Sequence, residues 1–230
     1  DRRQRQMCIR DSSKALIENS DEVLSEEHID KANNIELSKE EREKFNWLEN
    51  KLYFSNEVDE LAKLVKYSDN MKGYSKYLFQ SLIRRAMIRK LPYSRMNVPW
   101  NNIVKLRDED YSYKKYGRKR AYHNQSFSHH MRSNLIAYNN AIFDNGHFNK
   151  AFQEDALDVL DMIDQVSVIL LDPPYPGTMN KYEDFYSDFD VMFNTKKQFT
   201  NLSDRSNFMN NLENIITVSY THLRAHETDS

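Results

Sequence analysis

The run Val166-Ser167-Val168-Ile169-Leu170-Leu171-Asp172-Pro173-Pro174-Tyr175 decides how this chain is read. Residues 166–171 are apolar at all but one position, so they lack the polar alternation of a half-exposed strand and match a parallel strand buried on both faces. Just upstream, residues 151–154 read as a further strand and residues 157–162 as a short helix. A strand, a helix and a strand in succession predict an α/β class. Open α/β sheets bind ligands beyond the carboxyl ends of their strands, which puts the Asp172-Pro173-Pro174-Tyr175 turn where chemistry is expected.

Those four residues suit an exocyclic amino group on a nucleic-acid base. Its lone pair is delocalised into the ring, so it attacks poorly until two acceptors on its N–H bonds favour a tetrahedral nitrogen. The Asp172 carboxylate supplies one acceptor and the Pro173 carbonyl the other. Pro173 and Pro174 fix φ and carry no N–H, which stiffens the turn. Tyr175 offers a ring on which an extruded base stacks. A strand-ending turn without chemistry is the plainer alternative.

Outward from the motif the chain reads as helices. They are expected at residues 13–25, at 39–51 behind a capping box of Ser38 and Glu41, and from Asn56 with Val58, Leu61, Leu64 and Val65 on one face. Residues 75–90 carry Leu78, Phe79, Leu82, Ile83, Ala86 and Met87 as a stripe, with Lys76, Gln80, Arg84 and Arg89 elsewhere on the cylinder, and Pro92 stops the helix. No period persists over residues 92–132, which read as an irregular surface insert. Residues 133–150 predict a helix and then a turn at Asp144-Asn145-Gly146, and residues 204–216 a last helix.

The 230-residue chain has a net charge of −2, but its charge is unevenly spread. From Arg84 to Arg120 there are twelve lysines or arginines against Asp108, Glu109 and Asp110, whereas the segment 154–190 holds ten acids against Lys181. Such polarity predicts a basic surface for a polyanion, with Arg84, Arg85, Arg89, Lys114, Lys115, Arg118, Lys119 and Arg120 as its candidate contacts. Tyrosines interleave the second half of that set. A mean hydropathy of −0.84 argues against a membrane span, and the single cysteine, Cys8, excludes a disulfide framework or a cysteine-built zinc site. A reducing cytoplasmic setting is the expectation. His129-His130 reads as a loop pair rather than a metal site.

The ends read differently from the middle. Gln6-Met7-Cys8-Ile9-Arg10-Asp11 is encoded by CAG ATG TGT ATA AGA GAC, whose reverse complement translates as Val-Ser-Tyr-Thr-His-Leu, the residues Val218 to Leu223. Residues 1–12 and 218–230 are therefore expected to be translated sequencing-adapter sequence around a gene cut off at both ends.

The Asp172-Pro173-Pro174-Tyr175 motif, Leu78-Phe79-Gln80 with its basic helix, and residues 149–186 together resemble the Dam-like class of DNA adenine-N6 methyltransferases. The resemblance implies a partial Rossmann-like AdoMet-dependent core carrying a largely helical, basic target-recognition insert. Residues 13–70 would be a helical part of the enzyme, 71–148 the recognition region and 149–217 the partial core. It further implies AdoMet as cofactor, with Asp155 accepting from its adenine amino group; helix capping is the alternative duty for Asp155. Double-stranded DNA is the implied substrate, with a cognate restriction endonuclease as the implied partner. The four glycines form no glycine-rich AdoMet loop, a departure that truncation accounts for. Other exocyclic amines, guanine N2 in ribosomal RNA or cytosine N4 in DNA, remain open, as does a catalytically dead DNA-binding fragment. With so few core strands, the chain alone is expected to leave an apolar sheet edge exposed, to bind AdoMet weakly and to keep only partial helical structure.

Overall fold

Local capping and short-range hydrogen bonds set the order of elements in the computed structural model, which describes residues 13–119, 121–152, 154–163, 168–172, 182–193 and 206–224. A π-type turn, Lys14–Glu18, precedes α1 (Glu26–Asn33), α2 (Lys39–Glu43), α3 (Ser55–Asn70), α4 (Gly73–Lys90), α5 (Trp100–Arg107), α6 (Glu109–Tyr116) and α7 (Phe127–Asn139). Then follow α8 (Ala156–Met162), α9 (Tyr182–Phe193) and α10 (Phe208–Arg224). Two compact units result: residues up to 151 with 184–195 form a helical unit, and the remainder of 152–230 a second one.

The helical unit is built around α4. Leu78, Phe79, Leu82, Ile83, Ala86 and Met87 are all buried, as their spacing predicts. Gln80, Ser81, Arg84 and Lys90 are buried as well. The face read as polar is thus covered, because α3, α7, the π-type turn and two 3-10 turns, Pro92–Ser94 and Ala121–Asn124, all pack on α4. In α3, Val58, Leu61, Leu64 and Val65 face inward as expected. Its first turn is closed by Glu57, whose carboxylate accepts from the Phe54 amide at 3.0 Å, and not by Ser55 or Asn56.

Two predicted helices are shorter than expected. Within residues 13–25 the buried Asn19 accepts from the Asp21 and Glu22 amides and donates to the Ala15 and Glu22 carbonyls. An asparagine that satisfies the backbone this way offers it an alternative to helix, and the chain turns. The Ser38–Glu41 capping box forms, with amide-to-side-chain bonds of 2.8 and 3.2 Å, but α2 stops at Glu43. A 3-10 turn, Asn46–Leu48, then brings Leu48 and Leu52 into the core.

The stretch 92–132 is not irregular. It holds α5, α6 and the start of α7, each opened by a local signal: the Pro99 carbonyl accepts from Ile103 at 3.1 Å, Asp108 caps Tyr111 at 3.0 Å, and Ser126 caps His129 at 3.0 Å. Gly117, at φ 67°, ends α6 in the left-handed region. Two-turn helices with one or two inward residues are too short for a period to show. The start of α7 is held by Glu60 of α3, whose carboxylate accepts from the Phe127 and Ser128 amides at 3.0 and 2.8 Å. The expected turn after α7 is present, with the Gly146 amide donating to Asp144 at 2.8 Å.

The α/β expectation is not met among the described residues, which are mostly helical. Their only β-type pairing is an isolated bridge between Glu49 and Tyr53. Ala151, Phe152 and Glu154 lie outside regular structure, as do residues 168–172, with Val168 83% and Leu170 90% exposed. A central parallel strand needs hydrogen-bonded neighbours on both edges and cover on both faces. No described segment supplies either to 168–171. Residues 153, 164–167 and 173–181 fall outside the described residues. In the second unit, α8 forms as expected and packs against α10, which runs from Phe208 to Arg224 rather than over 204–216.

Gly73 provides a test of this packing. It opens α4 at φ +64°, and a Cβ there would sit 2.7 Å from Glu22 Oε1, while the Glu22 carboxylate also accepts from the Ser75 amide at 2.7 Å. Gly73→Ala is therefore expected to destabilise the helical unit by about 1 kcal/mol or more, read as a lower Tm. An unchanged or higher Tm would contradict the left-handed opening of α4.

Candidate nucleic-acid interface

Before any surface can be presented, the short helices α5 and α6 must be held to the unit, and a buried charge cluster does this. Arg107, at the end of α5, donates to both Glu57 oxygens at 2.8 and 2.6 Å, and Lys90 of α4 reaches Glu57 at 2.7 Å. The remaining donors are used too: Arg107 Nε bonds Asn124 at 3.0 Å, Lys90 bonds the Gln125 carbonyl, and the two cations lie over the rings of Phe54 and Phe127. Burial pushes the Glu57 carboxyl up, but Arg107 and Lys90 outweigh it and hold the group below its ordinary value. Burial wins at Lys90, whose ammonium is drawn below the usual lysine range although Glu57 opposes this.

Outside this cluster, α6 and the residues after it present the expected basic surface. Lys114, Lys115, Arg118 and Lys119 are exposed, and so are Tyr113, Tyr116 and Tyr122. Lys115 receives support from the Tyr111 hydroxyl at 3.1 Å and from the rings of Tyr111 and Tyr116. Gly117 breaks the helix between the two basic pairs, so Arg118 and Lys119 leave the α6 axis. Arg85 and Arg89 of α4 are exposed, the latter over the Tyr122 ring at 5.6 Å. Arg84 is placed differently: only 5% exposed, its guanidinium lies 4.4 Å from the centre of the Phe193 ring, inside the helical unit. Arg120 falls outside the described residues.

Tyr93, absent from the candidates, also belongs to the exposed rings. It is held at φ 59° directly after Pro92, and its neighbour Ser94 at φ 54°. Pro92 was the available signal, since it ends α4 and forces a turn.

In the second unit Asp172 is exposed at the end of the described stretch 168–172, and Pro173, Pro174 and Tyr175 lie outside the described residues. Asp155 stands immediately before α8, where its carbonyl accepts from the Val159 amide at 3.0 Å, the backbone position of a helix cap. His129 and His130 are ring neighbours on α7, not in a loop, with centroids 5.7 Å apart. No group of three or more potential ligands gathers around a metal position among the described residues. None of their helices is long and apolar enough to cross a membrane.

Residues 5–224 match the family model for D12 class N6 adenine-specific DNA methyltransferases, and the chain belongs to that family. Among curated proteins it is similar to the Type II methyltransferase M2.HphI of Haemophilus parahaemolyticus, 49% identical over 142 residues. That match covers 60% of this chain and 41% of the relative's length. No solved structure matches.

His130 is buried on α7 near Lys90, and burial is the larger reason its pKa falls from 6.5 to about 4. The unfolded chain takes up a proton near the ordinary histidine value and the folded one does not until much lower pH, so stability present above pH 6.5 is lost on acidification toward 4. Glu57 acts in the same direction at the acid end, because its carboxyl is depressed in the fold. Denaturant melts from pH 7.5 to 4.5 should show falling stability, with a shallower fall in His130→Leu; identical slopes would remove His130 from the account. In equilibrium DNA binding, neutralising Lys114, Lys115, Arg118, Lys119 and Arg120 should flatten the plot of log K against log salt by roughly 0.9 for each phosphate left without its cation. An unaltered slope would place the duplex elsewhere.

Proposed function

We propose that the full-length protein is a site-specific DNA methyltransferase that moves a methyl group from AdoMet to adenine N6. The observation that carries this reading is the family match over residues 5–224, which takes in the Asp172-Pro173-Pro174-Tyr175 motif. The Type II name of the relative supports a restriction-modification setting with a cognate endonuclease. Asp172 accepts a hydrogen bond from the target amino group, the Pro173 carbonyl takes the second, and Tyr175 stacks on the extruded base. AdoMet, when bound, supplies the electrophilic methyl group, and Asp155 beside α8 is the residue we assign to its adenine amino group. The methyl then moves by in-line displacement, for which placement of the two reactants matters most.

Arg85, Arg89, Lys114, Lys115, Arg118, Lys119 and Arg120 are assigned to the DNA backbone, within a recognition region of residues 71–148. The run 166–171 is assigned to a buried core strand in the full-length protein. Support for this comes from the uncovered Val168 and Leu170 and from the relative, of which this chain matches 41%. The Rossmann-like core then completes around that strand.

Asp172→Ala in the full-length protein is expected to lower methyl transfer to unmethylated duplex DNA by on the order of a hundredfold or more, with DNA affinity almost unchanged. Transfer of labelled methyl groups, followed by nucleoside analysis for N6-methyladenine, is the measurement. Label appearing on cytosine or guanine, or full activity without Asp172, would overturn the assignment.

A further inference from the structure

Helix α9 begins ten positions after Asp172, yet from Asp184 onward it belongs to the helical unit that carries the basic surface. Side chains at three positions seat it there. Phe189 is 1% exposed, in the core. Lys51, in the turn before α3, bonds Asp188 at 2.6 Å while its ammonium lies 5.0 Å from the Trp47 ring centre. Arg84 of the central helix α4 lies over Phe193 at 4.4 Å. Positions 188, 189 and 193 span more than one turn, so anchoring all of them fixes both the rotation of α9 and its position along its axis.

We propose that Arg84 and Phe193, with Lys51 and Asp188, are positioning residues that tie the chain leaving the catalytic turn to the unit that holds DNA. The idea rests on the functional reading above and deepens it. An arginine stacked on an aromatic ring is a planar, directional contact, and a buried carboxylate paired with one lysine is a second fixed point. With α9 so fixed, the segment that follows Asp172 starts from the helical unit's frame. DNA engaged by α6 and the catalytic carboxylate therefore share one rigid reference. Arg84 belongs to the basic set by composition, and its burial gives it this different duty.

A small misplacement of a catalytic group costs rate without costing binding, and that separates this role from a DNA contact. The test uses the full-length protein with unmethylated genomic DNA and labelled AdoMet, measuring kcat, DNA Kd and Tm for Phe193→Leu, Phe193→Tyr and Asp188→Asn. Phe193→Leu and Asp188→Asn should lower kcat about tenfold or more while DNA Kd stays within about twofold, and Phe193→Tyr, which keeps the ring, should restore kcat. A lower Tm with unchanged kcat in both variants would show a merely structural contact and overturn the proposal. So would a loss of DNA affinity in step with kcat. Should Phe193→Leu fail to fold, Asp188→Asn and Phe193→Tyr decide by the same criteria. If the unsubstituted protein transfers no methyl group to adenine, the functional reading falls, and this inference with it.

Discussion

Three helices and a turn meet at one carboxylate. Glu57 closes the first turn of its own helix, takes a two-pronged bond from Arg107 and receives Lys90 from the central helix. One negative and two positive charges are thereby removed from water, a placement tolerated only when each polar atom has a partner. Here the partners are complete: Asn124, the Gln125 carbonyl and two aromatic faces take what Glu57 does not. Removing the carboxylate alone would strand both cations, a loss of about 3–5 kcal/mol. Against total stabilities of roughly 5–15 kcal/mol, that is enough to release α5 and with it the attachment of the basic helix.

This dependence explains which parts of the molecule can be read directly. The stripe from Leu78 to Met87 repeats over several turns, and such repetition is visible in a single sequence. Ser38 with Glu41, and Asp144 with Gly146, are legible for the same local reason. By contrast Glu57 and Arg107 are fifty positions apart, and nothing near either residue names the other. The helices α5 and α6 are legible only as caps, since eight residues each contribute too few inward side chains to form a pattern. Arg84 is the sharpest case. Its charge matches its exposed neighbour Arg85, and only the arrival of Phe193 from more than a hundred positions away distinguishes them.

The catalytic segment is the opposite case, legible by chemistry and not by its surroundings. Asp172 is recognisable because two prolines and a tyrosine follow it, whereas the strand before it depends on neighbours. A strand is not a local object: its hydrogen bonds go to other segments, and without them an apolar run such as 168–171 has no preference to express. A helix closes its bonds within itself, which is why the helical unit forms from contiguous sequence.

The cap on α7 has a further consequence. A helix start is a natural seat for phosphate, since its free amides and its dipole both favour an anion. In this molecule Glu60 already occupies that seat at Phe127 and Ser128. Any phosphate reaching the unit must therefore be met by lysine and arginine side chains on long, rotatable stems. Such stems follow a polyanion as it shifts by one nucleotide, where a rigid ring of amides would hold it in one register. The occupied cap thus favours gliding along a duplex, and leaves the halt at a target to the groups that read bases.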